Sequence, residues 1–231
     1  MQSLTSGYRA LVLGDTGALG HAFATALRSD ARCATVTGFS RSSVPALVLE
    51  DPHSMQACVD SLRQGGPFHL VIDATGALII DDIGPEKRLD DIDARHLQRA
   101  MQVNAIGPAM LLKYFSPLLV TGERALWAKL SARVGSIEDN RKGGWYGYRA
   151  SKAALNMFLQ TAAIEIARRR PQAVIAALQP GTVRSRLSQP FVGDDSMPAE
   201  IAAHKLLRVL DDLKPTGRAQ FVDHEGQAIP W

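Results

Sequence analysis

Short apolar segments alternate with longer amphipathic ones along almost the whole 231-residue chain. The short segments are as apolar as strands buried on both faces, whereas the longer ones have the spacing of helices that pack on a sheet. This alternation favours one α/β domain over residues 1–231, built on a doubly wound, mainly parallel sheet of seven strands with helices on both faces. The predicted strands are Arg9–Leu13, Ala34–Thr37, Ala46–Leu49, His69–Ala74, Ala125–Ser131, Ala173–Gln179 and Gln220–Asp223. The predicted helices are Ala18–Arg28, Ser54–Leu62, Ala94–Leu119, Tyr148–Arg170 and Pro198–Leu213.

Composition and charge argue against a nucleic-acid, metal or membrane partner. The net charge of +3 is scattered except at Arg168 to Arg170, where a predicted helix ends and cationic side chains complement its dipole, so we predict no nucleic-acid partner. Cys33 and Cys58 have neither the spacing of metal ligands nor that of a disulfide framework. No apolar run approaches the roughly 18 residues of a membrane span, and the first residues lack a secretion signal. We therefore expect a cytoplasmic protein with no metal and no membrane contact.

The segment LVLGDTGALGHAF carries a predicted strand through a glycine-rich turn directly into a predicted helix. Glycines allow a tight turn and close backbone approach to a pyrophosphate, and the helix N-terminus offers unpaired N–H groups to the phosphates. An ordinary strand-to-helix turn is the alternative. The pattern favours a Rossmann-type dinucleotide site that uses Gly14, Thr16, Gly17, Ala18, Leu19 and Gly20.

The residues after the second predicted strand bear on which dinucleotide would bind. In such a fold an acidic residue there accepts a hydrogen bond from the ribose 2′-OH, whereas an arginine accommodates a 2′-phosphate. The segment TGFSRSS has no acidic residue but contains Ser40 and Arg41. The fork of donors on arginine binds phosphate, so the sequence favours NADP(H) over NAD(H).

A tyrosine and a lysine four residues apart occur in WYGYRASKAALNMF. On a helix, Tyr148 and Lys152 project from the same face, and a nearby cation lowers the pKa of a phenol from about 10. The pair is a candidate general acid with its activating cation. The alternative is a surface tyrosine and a solvated lysine on an amphipathic helix.

Five motifs in order resemble the short-chain dehydrogenase/reductase family over nearly the whole chain. They are GDTGALG, DATG at 73 to 76, Asn104 within MQVNAIGPAMLL, YRASK at 148 to 152, and QPGTVRS at 179 to 185. Within that family, SARVGSIEDNRKGGWYGYRASKAALN and GQAIPW are most similar to the C-factor and sniffer-like carbonyl reductases.

The resemblance implies a role for each matching residue. Tyr148 would donate the proton to the substrate, Lys152 would assist it and bind the nicotinamide ribose, and Asn104 would hold a water that links the lysine to solvent. The alternative for Asn104 is a polar residue on an exposed face. A substrate lid is expected near residues 184–200. The cofactor would also contact Asp73, Ala74, Thr75, Gly76, Pro180, Gly181, Val183 and Ser185.

The sequence departs from the family pattern in two places. The family usually has a serine three residues before a glycine after the fifth strand, but that position is Ala132; Ser131 and Ser136 are both candidates to replace the serine. Dihydropteridine reductases likewise have an alanine there. The aspartate that usually flanks adenine is also displaced, and Glu50 or Asp51 is expected to serve.

The resemblance implies an NADPH-dependent carbonyl reductase that acts on a small carbonyl or hydroxyl substrate and forms a homodimer or homotetramer. Arg184 and Arg186, in the expected lid, suggest an anionic substrate. The alternative is a C-factor-like nucleotide-binding regulator with weak or no turnover, which the missing serine favours.

Overall fold

The computed structural model describes residues 1–62, 65–184 and 196–231. Within them, six strands form one parallel sheet in the order β2-β1-β3-β4-β5-β6. The expected doubly wound α/β class is confirmed. The strands are β1 (Tyr8–Leu13), β2 (Cys33–Phe39), β3 (Leu70–Asp73), β4 (Ala125–Leu130), β5 (Ala173–Gln179) and β6 (Ala219–Asp223).

The order of the strands reverses at β1, because β2 lies on one side of it and β3 on the other. Leu13 at the end of β1 is in register with Asp73 at the end of β3, and Asp73 with Lys129 of β4. In open parallel sheets a ligand crevice opens beyond the carboxyl ends of the strands at this point. The loops that follow β1, β3 and β4 therefore meet at one edge of the sheet.

Helices cover both faces of the sheet, and the alternation of side chains along each strand divides the core in two. In β4, Trp127 packs on the same side as Leu159, whereas Leu126 packs on the side of Phe23 and Leu206. All five side chains are fully buried. The helices are α1 (Ala18–Arg28), α2 (Pro52–Ser61), α3 (Ala94–Met101), α4 (Gly107–Phe115), α5 (Tyr146–Arg169) and α6 (Ala199–Asp212).

The strand predicted at 46–49 is wrong, which reduces the sheet from seven strands to six in the described residues. The amides in this segment bind elsewhere: Leu47 N–H donates to the Ser40 carbonyl (2.8 Å) and Val48 N–H to Ser54 Oγ (2.7 Å). Leu47 is nevertheless buried in the core. An apolar run can thus be buried as a loop without pairing with a strand.

The single helix predicted at 94–119 is interrupted. Residues Gln102–Ile106 form a π-helical turn between α3 and α4, in which Gly107 N–H donates to the Gln102 carbonyl five residues earlier. Pro108 follows at once and has no N–H to continue the ordinary ladder. The wider turn contains Asn104, which is fully buried.

The structure also describes the two cysteines and the apolar character of the helices. Cys33 and Cys58 are both free thiols, and burial raises the pKa of Cys58 to about 11. Among the described residues, no helix has both the length and the apolar character that a membrane span needs.

Candidate active site

The helix that carries Tyr148 begins at the edge of the crevice and is held there by a residue distant in sequence. Trp145 precedes α5 in the left-handed conformation (φ 56°) and its N–H donates to the Glu86 carbonyl. Gly147 N–H donates to Glu86 Oε2 (2.9 Å). Glu86, 4% exposed, therefore supplies the N-terminal cap that the helix itself lacks. Sequence reasoning missed Glu86, since a lone glutamate in a loop carries no local signal.

Tyr148 and Lys152 lie on the same face of α5, as the spacing predicted. Lys152 Nζ is 5.7 Å from the centroid of the Tyr148 ring and donates to the Leu130 carbonyl at the end of β4 (3.2 Å). The helix packs closely on the turn after β4: a Cβ on Gly135 would lie 2.8 Å from the Lys152 carbonyl carbon and Cβ. Close packing therefore brings the pair against the carboxyl end of the sheet.

Asn104 joins this group through the loop after β3. Its side-chain amide makes two hydrogen bonds with Ala77, accepting from the N–H (2.9 Å) and donating to the carbonyl (2.8 Å). A Cβ on Gly76, where φ is 126°, would lie 3.0 Å from Asn104 Oδ1 and 3.5 Å from Lys152 Nζ. The alternative of a polar residue on an exposed face is wrong. In this geometry Asn104 secures the loop, while its expected water-holding role stays a prediction.

A buried ion pair lies beside this loop. Lys129 Nζ donates to Asp73 Oδ1 (2.8 Å), to the Thr75 carbonyl (2.6 Å) and to Thr75 Oγ1 (3.0 Å). Thr75 also donates to Asp73 Oδ1 through its N–H (2.9 Å) and its hydroxyl (2.6 Å). Asp73 is fully buried and Lys129 is 1% exposed. Sequence reasoning placed Asp73 and Thr75 here but missed Lys129, because pairing across strands depends on register.

Burial reverses the expected electrostatics of the tyrosine. Desolvation raises the pKa of Tyr148 to about 12, so the expectation of a lowered phenol pKa is wrong for the protein alone. Burial is the cause of this rise. It also lowers the pKa of Lys152 to about 7, with the charge of Lys129 as the second cause, so the lysine carries less charge at neutral pH than an exposed lysine does.

The hydroxyls of both candidate serines are hydrogen-bonded to other groups. Ser131 Oγ donates to Asn156 Oδ1 (2.7 Å), one turn beyond Lys152 on α5. Ser136 Oγ donates to the Trp231 carbonyl (3.4 Å) and accepts from the N–H of Asp139 (3.0 Å). A substrate-orienting role for either serine stays a prediction that these bonds do not favour.

The glycine turn after β1 has the form that a phosphate-binding turn requires. Gly14 has a φ of 87°, and a Cβ on Gly20 would overlap the Gly14 carbonyl. Helix α1 starts at Ala18 without a side-chain cap and without an acidic residue in its first turn. The N–H groups of Ala18, Leu19 and Gly20 thus have no partner within the helix, and Thr16 and Gly17 are exposed beside them. These residues fit a dinucleotide diphosphate.

The end of β2 also faces this turn. Arg41 is exposed, while Ser40 is buried and its Oγ lies 3.2 Å from Ser42 Oγ. The carboxylate of Asp15 lies against Gly38, where any side chain would overlap it, and Asp15 Oδ1 has no hydrogen-bond partner among the described residues. Sequence reasoning found no acidic residue in the segment after β2 and overlooked this carboxylate from the turn.

Glu50 and Asp51, the candidates for flanking adenine, both have partners. Glu50 Oε1 accepts from Arg99 Nη1 (3.3 Å), and Asp51 Oδ1 caps α2 by accepting from the N–H of His53 (2.9 Å). Their adenine contact stays a prediction.

The residues after β5 complete the crevice as far as the structure describes it. Gly181 has a φ of 77°, and a Cβ there would lie 3.0 Å from the His224 ring; Pro180 is partly buried beside it. Val183 is buried and forms a bridge with Met197. Ser185, Arg186 and most of the predicted lid lie outside the described residues.

In the part of the chain that the structure describes, no group of three or more His, Cys, Asp or Glu side chains could hold a metal. A crevice at the strand-order reversal, a glycine turn and a Tyr–Lys helix together define a class of dinucleotide-dependent oxidoreductases. A family model described as enoyl-(acyl carrier protein) reductase matches residues 21–220. The chain belongs to the short-chain dehydrogenase/reductase family.

Two relatives are similar to this chain in sequence. The C-signal protein of Myxococcus xanthus is 34% identical over 144 residues, which are 62% of this chain and 83% of that protein. The 1-hydroxy-2-glutathionyl-2-methyl-3-butene dehydrogenase of Rhodococcus sp. (strain AD45) is 28% identical over 189 residues, or 81% and 79% of the two chains.

Solved structures show the same fold. An NADPH-bound carbonyl reductase from chicken fatty liver has a TM-score of 0.84 at 21% identity, covering 98% of this chain and 95% of that one. The carbonyl reductase Sniffer of Drosophila melanogaster has a TM-score of 0.82 at 20% identity, with 97% and 99% covered.

Proposed function

We propose that the protein is an NADPH-dependent carbonyl reductase that acts on a small carbonyl substrate. The observation that carries the proposal is the meeting of Tyr148 and Lys152 at the carboxyl end of the sheet, in the crevice that also contains the glycine turn. The NADPH-bound and Sniffer carbonyl reductases share this fold and support the assignment.

The nicotinamide, when bound, supplies the hydride. Tyr148, whose pKa burial raises to about 12, is protonated at neutral pH and donates its proton to the substrate oxygen as negative charge develops there. Lys152 stabilises the resulting phenolate when it is charged, and the phenolate then recovers a proton from solvent. Asn104 holds the loop that carries Gly76 against the lysine.

The test is the consumption of NADPH by a panel of aldehydes and ketones. Tyr148→Phe should lower kcat by about 10²- to 10⁴-fold, as expected for loss of a general acid, while NADPH still binds. Tyr114→Phe, at a half-buried tyrosine on α4, is the matched control and should keep full activity. Retention of wild-type activity by Tyr148→Phe would show that another group protonates the substrate.

Preference for NADPH is the finer part of the proposal and depends on Arg41. The Asp15 carboxylate, which lies against Gly38 of β2, suits a ribose hydroxyl better than a phosphate. The attraction of Arg41 for the 2′-phosphate must therefore exceed the repulsion from Asp15. Arg41→Ala should weaken NADPH binding about tenfold or more, the size of one charge-assisted phosphate contact, and leave NADH binding unchanged. Arg28→Ala, an exposed arginine at the other end of α1, is the control. Equal weakening of both cofactors would contradict the preference.

A second candidate function is a nucleotide-binding regulator with little turnover, as the relative named C-signal suggests. Ala132 at the usual serine position, and the bonds that Ser131 and Ser136 make elsewhere, favour it. A missing oxyanion donor costs about 10²- to 10³-fold in rate. Binding of NADPH with no turnover of any carbonyl would support the regulator.

We also propose that the chain forms a homodimer, or a homotetramer built from it, through α5. Among the apolar residues of this helix Leu155 and Leu159 are buried, whereas Met157 (65%), Phe158 (41%) and Ile164 (41%) are exposed. A self-complementary apolar helix face is suited to a two-fold interface. Analytical ultracentrifugation should find a dimer that Phe158→Glu converts to monomer; a monomeric wild type would refute the proposal.

A further inference from the structure

Lys129 is a buried lysine near the carboxyl end of β4. It belongs to β4, ALWAKL, in which every residue is buried, and only 1% of its surface is exposed. Leaving a charged amine in such a place is costly unless it is paired and hydrogen-bonded. Asp73 and Thr75 provide three acceptors, so the ammonium is fully coordinated and fixed in position.

Two backbone segments next to the contacts of Lys129 also lie close to Lys152 Nζ. The residue after Lys129 is Leu130, whose carbonyl accepts the hydrogen bond from Lys152 Nζ (3.2 Å). The residue after Thr75 is Gly76, and a Cβ there would lie 3.5 Å from the same Nζ. The two buried amines thus bind neighbouring stretches of backbone on β4 and on the loop after β3.

Among the described residues, the charges that act on the pKa of Lys152 are those of Lys129 on β4, which lowers it, and Asp73 on β3, which raises it. The Tyr148 phenol lies on its own helix, Asn104 on the π-turn is neutral, and Glu86 accepts from Gly147 N–H at the start of α5. Arg133, on the turn packed against α5, pairs instead with Asp223 (3.1 Å) and Asp139 (3.6 Å). Arg149 donates to backbone carbonyls of Val134, Gly143 and Gly144. The charge of Asp73 thus favours the protonated form of both amines, and Asp73 Oδ2 has no hydrogen-bond partner within the described residues.

We propose that Lys129 is a positioning residue of the active site: Asp73 and Thr75 hold its amine beside the backbone that Lys152 binds, where a charge on Lys129 disfavours a charge on Lys152 while Asp73 favours it. The role rests on the proposed reductase function, since Lys152 matters there as the partner of Tyr148. Burial is the first cause of the lowered pKa of Lys152, Lys129 the second, and Asp73 opposes both. Burial and the pair together bring the pKa of Lys152 to about 7, so the lysine can change charge during a reaction near neutral pH.

Opposite charge changes at the two positions give the test. In protein labelled with ¹³C at lysine Cε, the chemical shift of Lys152, identified with Lys152→Met, reports its protonation without any turnover. Lys129→Gln should raise the pKa of Lys152 by about one unit or more, and Asp73→Asn should lower it by a similar amount, as expected for a charge a few ångströms away. Both replacements are close in shape and keep hydrogen-bonding groups at the pair. Lys113→Gln, which removes an exposed charge from α4, should change nothing.

A pair that only ties β3 to β4 would alter stability and leave this titration in place. The inference is overturned if the pKa of Lys152 is unchanged in the folded variants, or moves in the same direction in both. If Lys129→Gln does not fold, Lys129→Met, which removes the same charge and keeps the length of the side chain, should give the same upward shift and decides in its place. Failure of the reductase proposal is distinguished by the NADPH assay, since the titration needs neither cofactor nor substrate.

Discussion

Replacing Lys152 with methionine should stabilise the protein, and the gain should depend on pH in a way that the buried amine dictates. The folded state lowers the pKa of this lysine from 10.5 to about 7. Between those values the unfolded chain binds a proton that the folded protein does not, so the lysine's contribution to the free energy of unfolding becomes more favourable as pH rises. Methionine, of similar length and without a charge, avoids the desolvation cost.

The size of the effect follows from the shift. A difference of 3.5 units at about 1.36 kcal/mol each gives a cost of about 5 kcal/mol at low pH. By the same linkage relation it is about 4 kcal/mol at pH 7, about 2 kcal/mol at pH 9, and close to zero above pH 10.5. Packing differences between lysine and methionine do not titrate. The fall of about 2 kcal/mol between pH 7 and pH 9 therefore isolates the charge.

Urea unfolding of the wild type and Lys152→Met at pH 6, 7, 8 and 9 measures this difference, with Lys113→Met as an exposed control. In the proposed mechanism Lys152 is also the partner of Tyr148, so activity should be lost in the same variant. A stability difference that does not vary with pH would refute the reasoning, since the amine would then carry its normal charge in the folded protein.

Three further predictions follow from the site. In the proposed mechanism alcohol oxidation needs the phenolate of Tyr148, so its kcat/KM should rise by up to about tenfold per pH unit from pH 7 to pH 9, and by less if Lys152 must stay charged. Carbonyl reduction should show no such rise, and an oxidation rate that falls over this range would exclude Tyr148 as the base. Glu86→Ala should destabilise the protein by about 1–2 kcal/mol and lower kcat, because it removes the cap on Gly147 N–H. Glu86→Gln keeps an acceptor and should keep most of the stability and activity. Equal losses of stability and kcat in the two variants, measured by denaturation and steady-state assays, would argue against the cap. Gly135→Ala should cost about 1–3 kcal/mol and reduce activity more than Gly84→Ala does, since the new methyl group would press on the backbone of Lys152, whereas nothing lies within 4 Å of a Cβ on Gly84. Wild-type kinetics for Gly135→Ala would show that the helix yields without effect.

Local patterns were enough to predict most of the architecture. Helix α1 and strand β5 have the predicted bounds, because periodicity and turn residues act over a few neighbours. The same logic failed at 46–49, where an apolar run looks alike whether it pairs as a strand or is buried as a loop. It failed again at Gln102–Ile106, where Gly107 and Pro108 marked an interruption of the long helix but not its π-helical form.

The sequence by itself determined the doubly wound sheet, the glycine turn and the shared face of Tyr148 and Lys152, since each depends on spacing along the chain. Only the tertiary structure decided the chemistry of that face. The Asp73–Lys129 pair requires the register of two strands, the Glu86 cap requires a loop 61 residues away, and the pKa values of the tyrosine and lysine require burial. Desolvation and long-range pairing have no local signature, because they depend on which segments fold against each other.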